Sequence, residues 1–275
     1  MPAPPLRAPS RGFAVILGTN EIASATAVRL HQQGYFTVLS HDPHPPVIRR
    51  RMAFHDALYD DTIILDGIGA QRADGLRDLL LQRRQGGRVA VTEMGLTDLL
   101  VLQVPDLLID ARLQKYHITP DLRHLARLTI GLGPSFVAGE NCQLAVETRP
   151  LRRGRIVQAG ATDRPDGRAR LLGGRGAERF VRAPFAGRWH TPLEIGTRIF
   201  KDYPVGFLDG APMLAPFDGV LRGVVRDGLE VQPEVKLLEM DPRGRQAVWW
   251  GLEDHALSLA NAVLKAVILH ASRVH

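Results

Sequence analysis

The chain is poor in cysteine, aromatic residues, lysine and long apolar runs. Its 275 residues include one Cys (Cys142), 6% aromatic residues, and four Lys against 31 Arg. A single cysteine excludes an internal disulfide and a metal site built from several cysteines, and it is typical of a reducing compartment. No stretch approaches the roughly 18 uninterrupted apolar residues of a membrane-spanning helix. These absences predict a cytoplasmic protein without a membrane segment.

The charge is basic, but it is spread along the chain. The formal net charge is +6, with 45% hydrophobic and 23% charged residues. Because basic residues do not alternate with aromatic ones and no zinc-finger or RNA-binding motif occurs, we do not expect nucleic acid as a partner. The ten His residues show no metal-binding spacing. The sequence therefore predicts no metal site, and no motif assigns a catalytic residue.

Length and patterning divide the chain into four segments. At roughly 100–200 residues per domain, this length suggests about two domains. Residues 1–11 are Pro-rich without the apolar core of a signal peptide, which predicts a disordered tail. Residues 12–179 are predicted to form an α/β domain and residues 180–243 an all-β module. A wide apolar stripe in residues 244–275 predicts a C-terminal helix that packs on the body or on a partner, which leaves homo-oligomerisation open.

The α/β prediction comes from apolar runs that alternate with helical periodicity. Residues 13–17 form a continuous apolar run typical of a strand buried on both faces. Helical spacing follows over residues 22–30, and residues 37–40 indicate a second strand, so the chain begins with a βαβ unit. Further strand-like runs occur at residues 62–65, 89–92, 107–109 and 128–130. We therefore predict a Rossmann-like parallel sheet.

The first candidate site is the turn Gly18-Thr19-Asn20 after the first strand. In such a sheet, ligands bind beyond the carboxyl ends of the strands, where a helix N-terminus accepts phosphate. The dinucleotide fingerprint is degenerate here, because Asn20 and Ala23 stand at its second and third glycine positions. Asp42 is the candidate for the acidic residue after the second strand. Both NAD(P) binding and a tight turn without ligand stay open.

Two charged groups are further candidates. Arg49, Arg50 and Arg51 offer guanidinium groups suited to phosphate or carboxylate, or else form a solvated face. Asp110 follows a buried strand directly, where its carboxylate can accept hydrogen bonds from a polar heterocycle or cap the next segment.

A glycine-rich loop after the strand at 128–130 is the last candidate. Gly131, Gly133, Ser135 and Gly139 belong to a loop whose N–H groups can cradle an anion. Cys142 follows closely; a lone thiol is either a small buried residue or a group for sulfur transfer. We expect this loop to face one cleft together with the Gly18 turn, Arg49 and Asp110.

The predicted β module contains an internal repeat. Residues 183–187 (APFAG) return as residues 215–219 (APFDG), an offset of 32 residues. Two equivalent halves predict a pseudo-twofold all-β module. The pattern resembles the barrel-sandwich domains that carry biotin or lipoate on a lysine. The corresponding hairpin, residues 208–213, has no lysine, which argues against a carrier role because that chemistry needs an amine at the hairpin tip.

Taken in order, several motifs resemble one protein family. They stand at residues 48–54 (IRRRMAF), 105–112 (PDLLIDAR), 130–134 (IGLGP), 145–148 (AVET), 182–184 (RAP) and 221–228 (LRGVVRDG). Together they resemble the accessory proteins of selenium-dependent molybdenum hydroxylase systems, a family distantly similar to xanthine dehydrogenase maturation factors. The resemblance covers nearly the whole chain after the tail.

The resemblance implies a Rossmann-like domain joined to a barrel-sandwich module, and a maturation role rather than substrate oxidation. The implied cofactor is the molybdenum cofactor or a related pterin or nucleotide. The implied partners are a client molybdenum hydroxylase and a sulfurtransferase. The chain departs from the family in its first turn, at His41 and at Ser135, which leaves a different ligand open. The alternative function is an NAD(P)-dependent oxidoreductase with a β appendage.

Overall fold

The computed structural model describes residues 12–114, 118–165 and 167–274. The tail predicted at residues 1–11 lies outside the described residues. The chain divides into two compact units. The first contains the described residues up to Asp42, then Ala53–Pro165 and the chain from Leu252 onward. The second contains Pro43–Met52 and the described residues from 167 to 251.

This division differs from the predicted segments in two stretches. The segment with Arg49 to Arg51 clusters with the β module, because the Ile48 carbonyl accepts a hydrogen bond from Val224 N–H at 2.9 Å. The C-terminal helix clusters with the α/β unit, because its apolar face packs on the first helix of that unit.

The first unit is a mixed α/β structure, and its elements have the following bounds. Its strands are β1 (Gly12–Leu17), β2 (Tyr35–Ser40), β3 (Ile64–Leu65), β4 (Ile68–Arg72), β5 (Arg88–Thr92), β6 (Leu107–Asp110), β7 (Leu128–Leu132), β8 (Val137–Ala138), β9 (Leu144–Val146), β10 (Ile156–Val157) and β11 (Gly160–Ala161). Its helices are α1 (Glu21–Gln32), α2 (Leu76–Gln85), α3 (Leu96–Leu102) and α4 (Asp254–Val274).

One large sheet organises this unit. Its strand order is β10-β9-β7-β6-β1-β2-β5-β4-β3, while β8 and β11 form a separate two-stranded sheet. The strands from β9 to β4 in that order run parallel, and the outermost pair at each edge is antiparallel. Strand β1 lies between β2 and β6. The chain therefore adds strands first on one side of β1 and then on the other. The carboxyl ends of β1 and its neighbours thus form a topological switch point.

Helices cover both faces of the sheet. Ala14 and Ile16 of β1 pack into a cluster with apolar residues of α1 and α4. Phe13 and Val15 face the other way, into a cluster that includes Leu79 of α2 and Leu99 of α3. Burial on both faces explains the continuous apolar run that the sequence shows here. The prediction of an α/β unit with a C-terminal helix is confirmed.

The strand predicted at residues 62–65 is the first arm of a hairpin at the sheet edge. Asp66 and Gly67 between β3 and β4 have φ values of 49° and 75°, a left-handed pair that reverses the chain tightly. β4 was missed by the sequence analysis because its segment, IGAQR, lacks an apolar run.

Helix α4 is long and apolar enough to meet a simple test for a membrane span, over Asp254–Ser272. A core helix of a globular protein meets the same test. Leu259, Val263 and Ala266 are fully buried in the cluster shared with α1. This helix therefore packs as a core element of a globular unit.

The second unit is an all-β module with the following strands. They are β12 (Phe180–Arg182), β13 (Gly187–His190), β14 (Arg198–Ile199), β15 (Pro204–Leu208), β16 (Ala211–Leu214), β17 (Gly219–Val224), β18 (Glu230–Val231) and β19 (Lys236–Asp241). They form two four-stranded sheets, with orders β12-β19-β17-β14 and β16-β15-β13-β18.

The pairing follows the 32-residue repeat. β12, β13, β14 and β15 are equivalent to β16, β17, β18 and β19, and each pairing of one half has its counterpart in the other. Apolar residues from both sheets, among them Trp189 and Leu221, share one core cluster. The strands pair within two four-stranded sheets. The structure therefore shows a pair of sheets at the place of the predicted barrel-sandwich module. The hairpin between β15 and β16 turns at Asp209 and Gly210.

Candidate functional site

The carboxyl ends of β1, β2 and β6 meet at the switch point, and the predicted turn lies there. Gly18 follows β1 with φ +103°, and its N–H donates to the Ser40 carbonyl at 2.8 Å. A side chain at this position would approach the Ala111 carbonyl oxygen and the Arg112 Cα to 3.3 Å. Glycine is required both by the backbone angle and by the close approach of the chain after β6.

Asn20 caps helix α1 instead of leaving its N-terminus open. Its Oδ1 accepts hydrogen bonds from the N–H groups of Ile22 and Ala23 at 2.9 and 3.0 Å. Its Nδ2 donates to the Ala111 carbonyl at 2.7 Å. In dinucleotide-binding folds, the pyrophosphate sits at this helix N-terminus. Since the Asn20 side chain already occupies these donors, the cap counts against the NAD(P) oxidoreductase hypothesis.

Thr19 joins two histidines beside this turn. Its hydroxyl Oγ1 lies 3.0 Å from His55 Nδ1 and 3.3 Å from His41 Nδ1, and the two rings are 5.0 Å apart. Thr19 and His55 are both 2% exposed. The hydroxyl can donate its one hydrogen to a single Nδ1, whereas its oxygen can accept from an Nδ1–H, so two hydrogen bonds at Thr19 require at least one of the two rings to carry its hydrogen on Nδ1.

Asp110 holds an arginine that the sequence analysis did not select. Asp110 is 3% exposed, and its carboxylate accepts from Arg112 Nε at 3.0 Å and from an Arg112 terminal nitrogen at 2.6 Å. This hydrogen bond, opposed by desolvation, raises the pKa of Arg112, which remains charged. The other terminal nitrogen of Arg112 lies 3.4 Å from Asp42, whose carboxylate also accepts from Gln114 at 2.9 Å.

The Asp-x-Arg fork is a recurring local motif in this chain. Asp121 and Arg123 form the same bidentate pair on the surface, with a shortest distance of 2.7 Å. Asp241 and Arg243 of the second unit form it again, at 2.6 Å. The fork alone is therefore not a mark of function. What distinguishes Arg112 is its position at the switch point and its further contact with Asp42.

The residues of the glycine-rich loop contact neighbouring residues of the first unit. A Cβ on Gly131 would lie 2.0 Å from the Phe136 ring, so this glycine makes room for a buried aromatic side chain. Gly133 accepts at its carbonyl from Thr162 Oγ1 at 2.7 Å. Ser135, at φ +75°, accepts at its carbonyl from the Asn141 amide at 2.9 Å. These contacts explain the three residues structurally, and the predicted anion cradle at this loop stays a prediction.

Arg49 and Arg50 belong to the second unit and contact residues of that unit. Arg49 forms a bidentate ion pair with Glu239, with distances of 2.6 and 3.1 Å. Arg50 Nε donates to the Val224 carbonyl at 3.0 Å. The sequence analysis expected these guanidinium groups to face a ligand; the observed partners are a buried carboxylate and a strand carbonyl.

Cys142 is fully buried, and burial raises the pKa of its thiol to about 11. The thiol is therefore protonated at neutral pH, which disfavours the sulfur-transfer interpretation.

The residues that come together are thus Gly18, Thr19, Asn20 and Asp110, joined by Ala111 and Arg112. Arg112 was missed because Asp110, two positions earlier, accounted for the local pattern, and His55 was missed because no spacing in the sequence relates it to a strand end. Surface depressions of about 670 and 340 Å³ lie elsewhere in the first unit, the larger lined by Pro150–Arg155 and Ser258. Across residues 12–114, 118–165 and 167–274, no group of three His, Cys, Asp or Glu side chains is arranged to hold a metal ion.

Comparison with known proteins gives one curated relative and a weak structural likeness. No family model matches the chain. The chain is similar to the uncharacterized protein YqeB of Escherichia coli (strain K12), with 29% identity over 256 residues, 93% of this chain and 47% of that protein. It therefore spans about half the length of the curated relative it matches. A solved aspartoacylase family protein from Mesorhizobium loti matches over 86% of each chain with 9% identity and a TM-score of 0.24, too low to carry an argument.

Proposed function

We propose that this chain is a cytoplasmic accessory protein that helps to mature a molybdenum-cofactor-dependent hydroxylase. In this proposal it binds an anionic pterin or its cytidine dinucleotide form at the switch point of the large sheet. The sheet corresponds to a Rossmann-like domain, and the two four-stranded sheets correspond to a barrel-sandwich module. The client hydroxylase and a sulfurtransferase are the proposed partners.

The observation that carries the proposal is Arg112 at the carboxyl edge of β6. Its side chain is 24% exposed, whereas the Asp110 side chain that orients it is 4% exposed. Asp110 fixes one side of the guanidinium through two short bonds, and the terminal nitrogen toward Asp42 makes a longer contact of 3.4 Å. An incoming phosphate or phosphonate-like anion competes only with that longer contact, since charge-assisted bonds of about 2.8 Å are much stronger.

The neighbouring acceptors suit a heterocycle. Asp42 has a side chain that is 24% exposed and stands beside the same guanidinium. Pterin and cytosine both carry an exocyclic amino group, which donates to a carboxylate. We infer that Asp42 accepts from that amino group while Arg112 binds the anionic part of the same ligand. Thr19, which follows Gly18, contacts His41 after β2 and His55 further along the chain, and these contacts hold the turn in place.

In a Rossmann fold the pyrophosphate of NAD(P) binds the N–H groups at the start of α1, and Asn20 already bonds these groups, which disfavours an NAD(P)-dependent oxidoreductase. In our proposal the phosphates of the pterin ligand bind Arg112 instead of these N–H groups.

The function is tested in cells that express a molybdenum hydroxylase and lack this chain. We expect the hydroxylase polypeptide to accumulate normally but to lose most of its activity and its bound pterin. Wild-type chain and Arg123→Gln restore both, whereas Arg112→Gln does not. A hydroxylase that is fully active and fully loaded with cofactor in the cells without the chain contradicts the proposal.

A further inference from the structure

The loop that joins β9 to β10 concentrates positive charge at one edge of the large sheet. We call residues 147–155 the arginine loop; it contains Arg149, Arg152, Arg153 and Arg155, and its one carboxylate is Glu147. β9 and β10 pair antiparallel, so the loop closes a hairpin whose outer strand, β10, is the last strand of the sheet. None of these arginines belongs to the site proposed at the switch point.

Glu147 fixes the conformation of the arginine loop. It is 2% exposed, and its carboxylate accepts hydrogen bonds from the N–H groups of Thr148, Arg149 and Asp163 at 2.8, 2.9 and 2.7 Å. Its own N–H donates to the Arg155 carbonyl at 2.9 Å and so closes the base of the loop. The buried carboxylate therefore bonds backbone groups and holds the loop in place without forming an ion pair with the arginines next to it.

Three arginines of the loop share a single opposing carboxylate. Arg152 forms an ion pair with Asp163 at 3.2 Å, and its side chain is 55% exposed. Arg153 lies 3.1 Å from His255 Nδ1; because arginine only donates, this nitrogen accepts and the ring adds no negative charge. Arg155 forms no ion pair or side-chain hydrogen bond with the residues that the structure describes. The loop thus presents an excess of positive charge in a fixed conformation.

The three guanidinium groups border one surface depression. Its volume is about 670 Å³, and it is lined by Pro150–Arg155 and Ser258. Three of these residues are arginines and none is acidic. The volume lies within the range of roughly 300–1,000 Å³ that is typical of small-molecule sites. The Ser258 hydroxyl makes no hydrogen bond to another described residue, so it is a further donor for an anion.

The same depression also has an apolar part. Leu151 is 98% exposed, and Pro150 beside it is exposed as well. Guanidinium groups bind phosphate oxygens in a bidentate geometry, and several of them together match the closely spaced charges of a diphosphate. The apolar pair beside them provides a surface on which a heterocycle can pack. The combination therefore favours a ligand in which a diphosphate is joined to a ring system.

We propose that this depression binds a nucleoside diphosphate. Arg152, Arg153 and Arg155 bind the phosphate oxygens, and Leu151 packs against the base. Binding is reversible and requires no bond to form or break. The site is separate from the one proposed at Arg112, and the argument for it does not use that proposal.

Calorimetric titration of the full chain with ADP and with inorganic pyrophosphate, in metal-free buffer, tests this site. The titrated chain carries Arg112→Gln, which weakens the other proposed anion site; if that site does not exist, the background change has no effect, so the two proposals fail independently. We expect one equivalent of each probe to bind, and ADP to bind more tightly than pyrophosphate.

Variants of the loop separate its charge from its apolar part. Adding Arg153→Gln or Arg155→Gln should lower the affinity for both probes on the order of tenfold. Leu151→Ser should lower the affinity for ADP about fivefold, because apolar contact is lost, and leave that for pyrophosphate unchanged. Arg84→Gln is the matched control: it removes the same charge from an exposed position of α2, on the opposite face of the large sheet, and should change neither affinity.

Three results overturn the proposal, once circular dichroism shows that the variants are folded. The first is the absence of saturable binding of either probe up to about 1 mM, which corresponds to a negligible affinity. The second is a loss in Arg84→Gln as large as that in Arg153→Gln, because the chain then attracts anions only through its net charge. The third is ADP that binds no more tightly than pyrophosphate and is unaffected by Leu151→Ser, because the ligand is then not a nucleoside.

Discussion

The two sheets of the repeat show how one backbone plan is used in two ways: the sheet β12-β19-β17-β14 carries Glu239 on its outer face, and the sheet β16-β15-β13-β18 carries Phe207 at the equivalent position. Positions that point inward are apolar in both halves: Trp189 corresponds to Leu221, and Leu208 to Met240. Positions that point outward have diverged, since Glu239 and Arg222 correspond to Phe207 and His190. The shared core maintains the pseudo-twofold fold, while the outer positions differ in charge and in exposure: Glu239 is buried and Phe207 is 41% exposed.

The outer face with Glu239 contains a buried ion network. Glu239 contacts Arg49, Arg179 and Arg222, and these three side chains are 14%, 2% and 0% exposed. Burial by itself would raise the pKa of Glu239, but the charge and hydrogen bonds of Arg49, then Arg179, lower it to about 2. The carboxylate is therefore ionised at neutral pH and compensates arginines that have little contact with water. At the equivalent position of the other sheet, Phe207 carries no charge.

The largest expected effect follows from removing that carboxylate. Glu239→Gln leaves buried arginines without their counter-charge and should lower the free energy of unfolding of the second unit by about 3–5 kcal/mol. The matched change at the equivalent position of the other sheet, Phe207→Gln, should alter the free energy of unfolding by less than about 0.5 kcal/mol. All three Trp residues, Trp189, Trp249 and Trp250, lie in the second unit, so their fluorescence during urea unfolding reports this unit. Equal effects of the two substitutions would break the comparison.

A smaller effect is expected from acid. Because the pKa of Glu239 is lower in the folded chain than its ordinary value of 4.5, its contribution is complete above about pH 5 and is lost as the pH falls toward 2. This contribution is on the order of 3 kcal/mol. The free energy of unfolding measured by tryptophan fluorescence should therefore fall across that pH range in the wild type, and it should fall less steeply in Glu239→Gln. Asp241, whose pKa is also lowered, leaves a residual slope in both. Identical slopes would show that Glu239 is not ion-paired as described.

The smallest effect concerns the stacked arginine. Arg175→Ala removes the guanidinium over Phe217 and should destabilise the second unit by about 1 kcal/mol, the magnitude of a partly desolvated cation–π contact. Arg198→Ala is the control, since Arg198 lies 5.6 Å from the exposed Phe200 ring and should contribute much less. If the urea midpoint shifts as much for Arg198→Ala as for Arg175→Ala, the Arg175–Phe217 contact does not make the stabilising contribution assigned to it.

Sequence patterning predicted the elements of the large sheet better than their arrangement. The apolar runs of β1, β5, β6 and β7 follow from burial on both faces, which leaves a continuous hydrophobic pattern. The neighbour order does not follow, because β5 inserts between β2 and β4 through contacts that are distant in sequence. The repeat was predictable because both halves keep the same apolar positions and glycine turns.

The candidate site was predicted only in part. Gly18 and Asp110 were found because they end buried strands. Arg49 was selected as a ligand residue because the sequence does not indicate its ion pair with Glu239, which is 190 positions away. Arg112 was passed over because its neighbour Asp110 explains the local pattern, and only the folded sheet brings Asp42 to its other side.

Arg112 is the group proposed to bind the anion, and calorimetric titration with molybdopterin cytosine dinucleotide and CTP tests this role most directly. Wild-type chain is expected to bind, Arg112→Gln to lose on the order of tenfold in affinity, and Arg123→Gln, the matched fork on the surface, to bind as the wild type does. Circular dichroism verifies that both variants are folded. Absence of binding by the wild type, or an equal loss in both variants, would contradict the account.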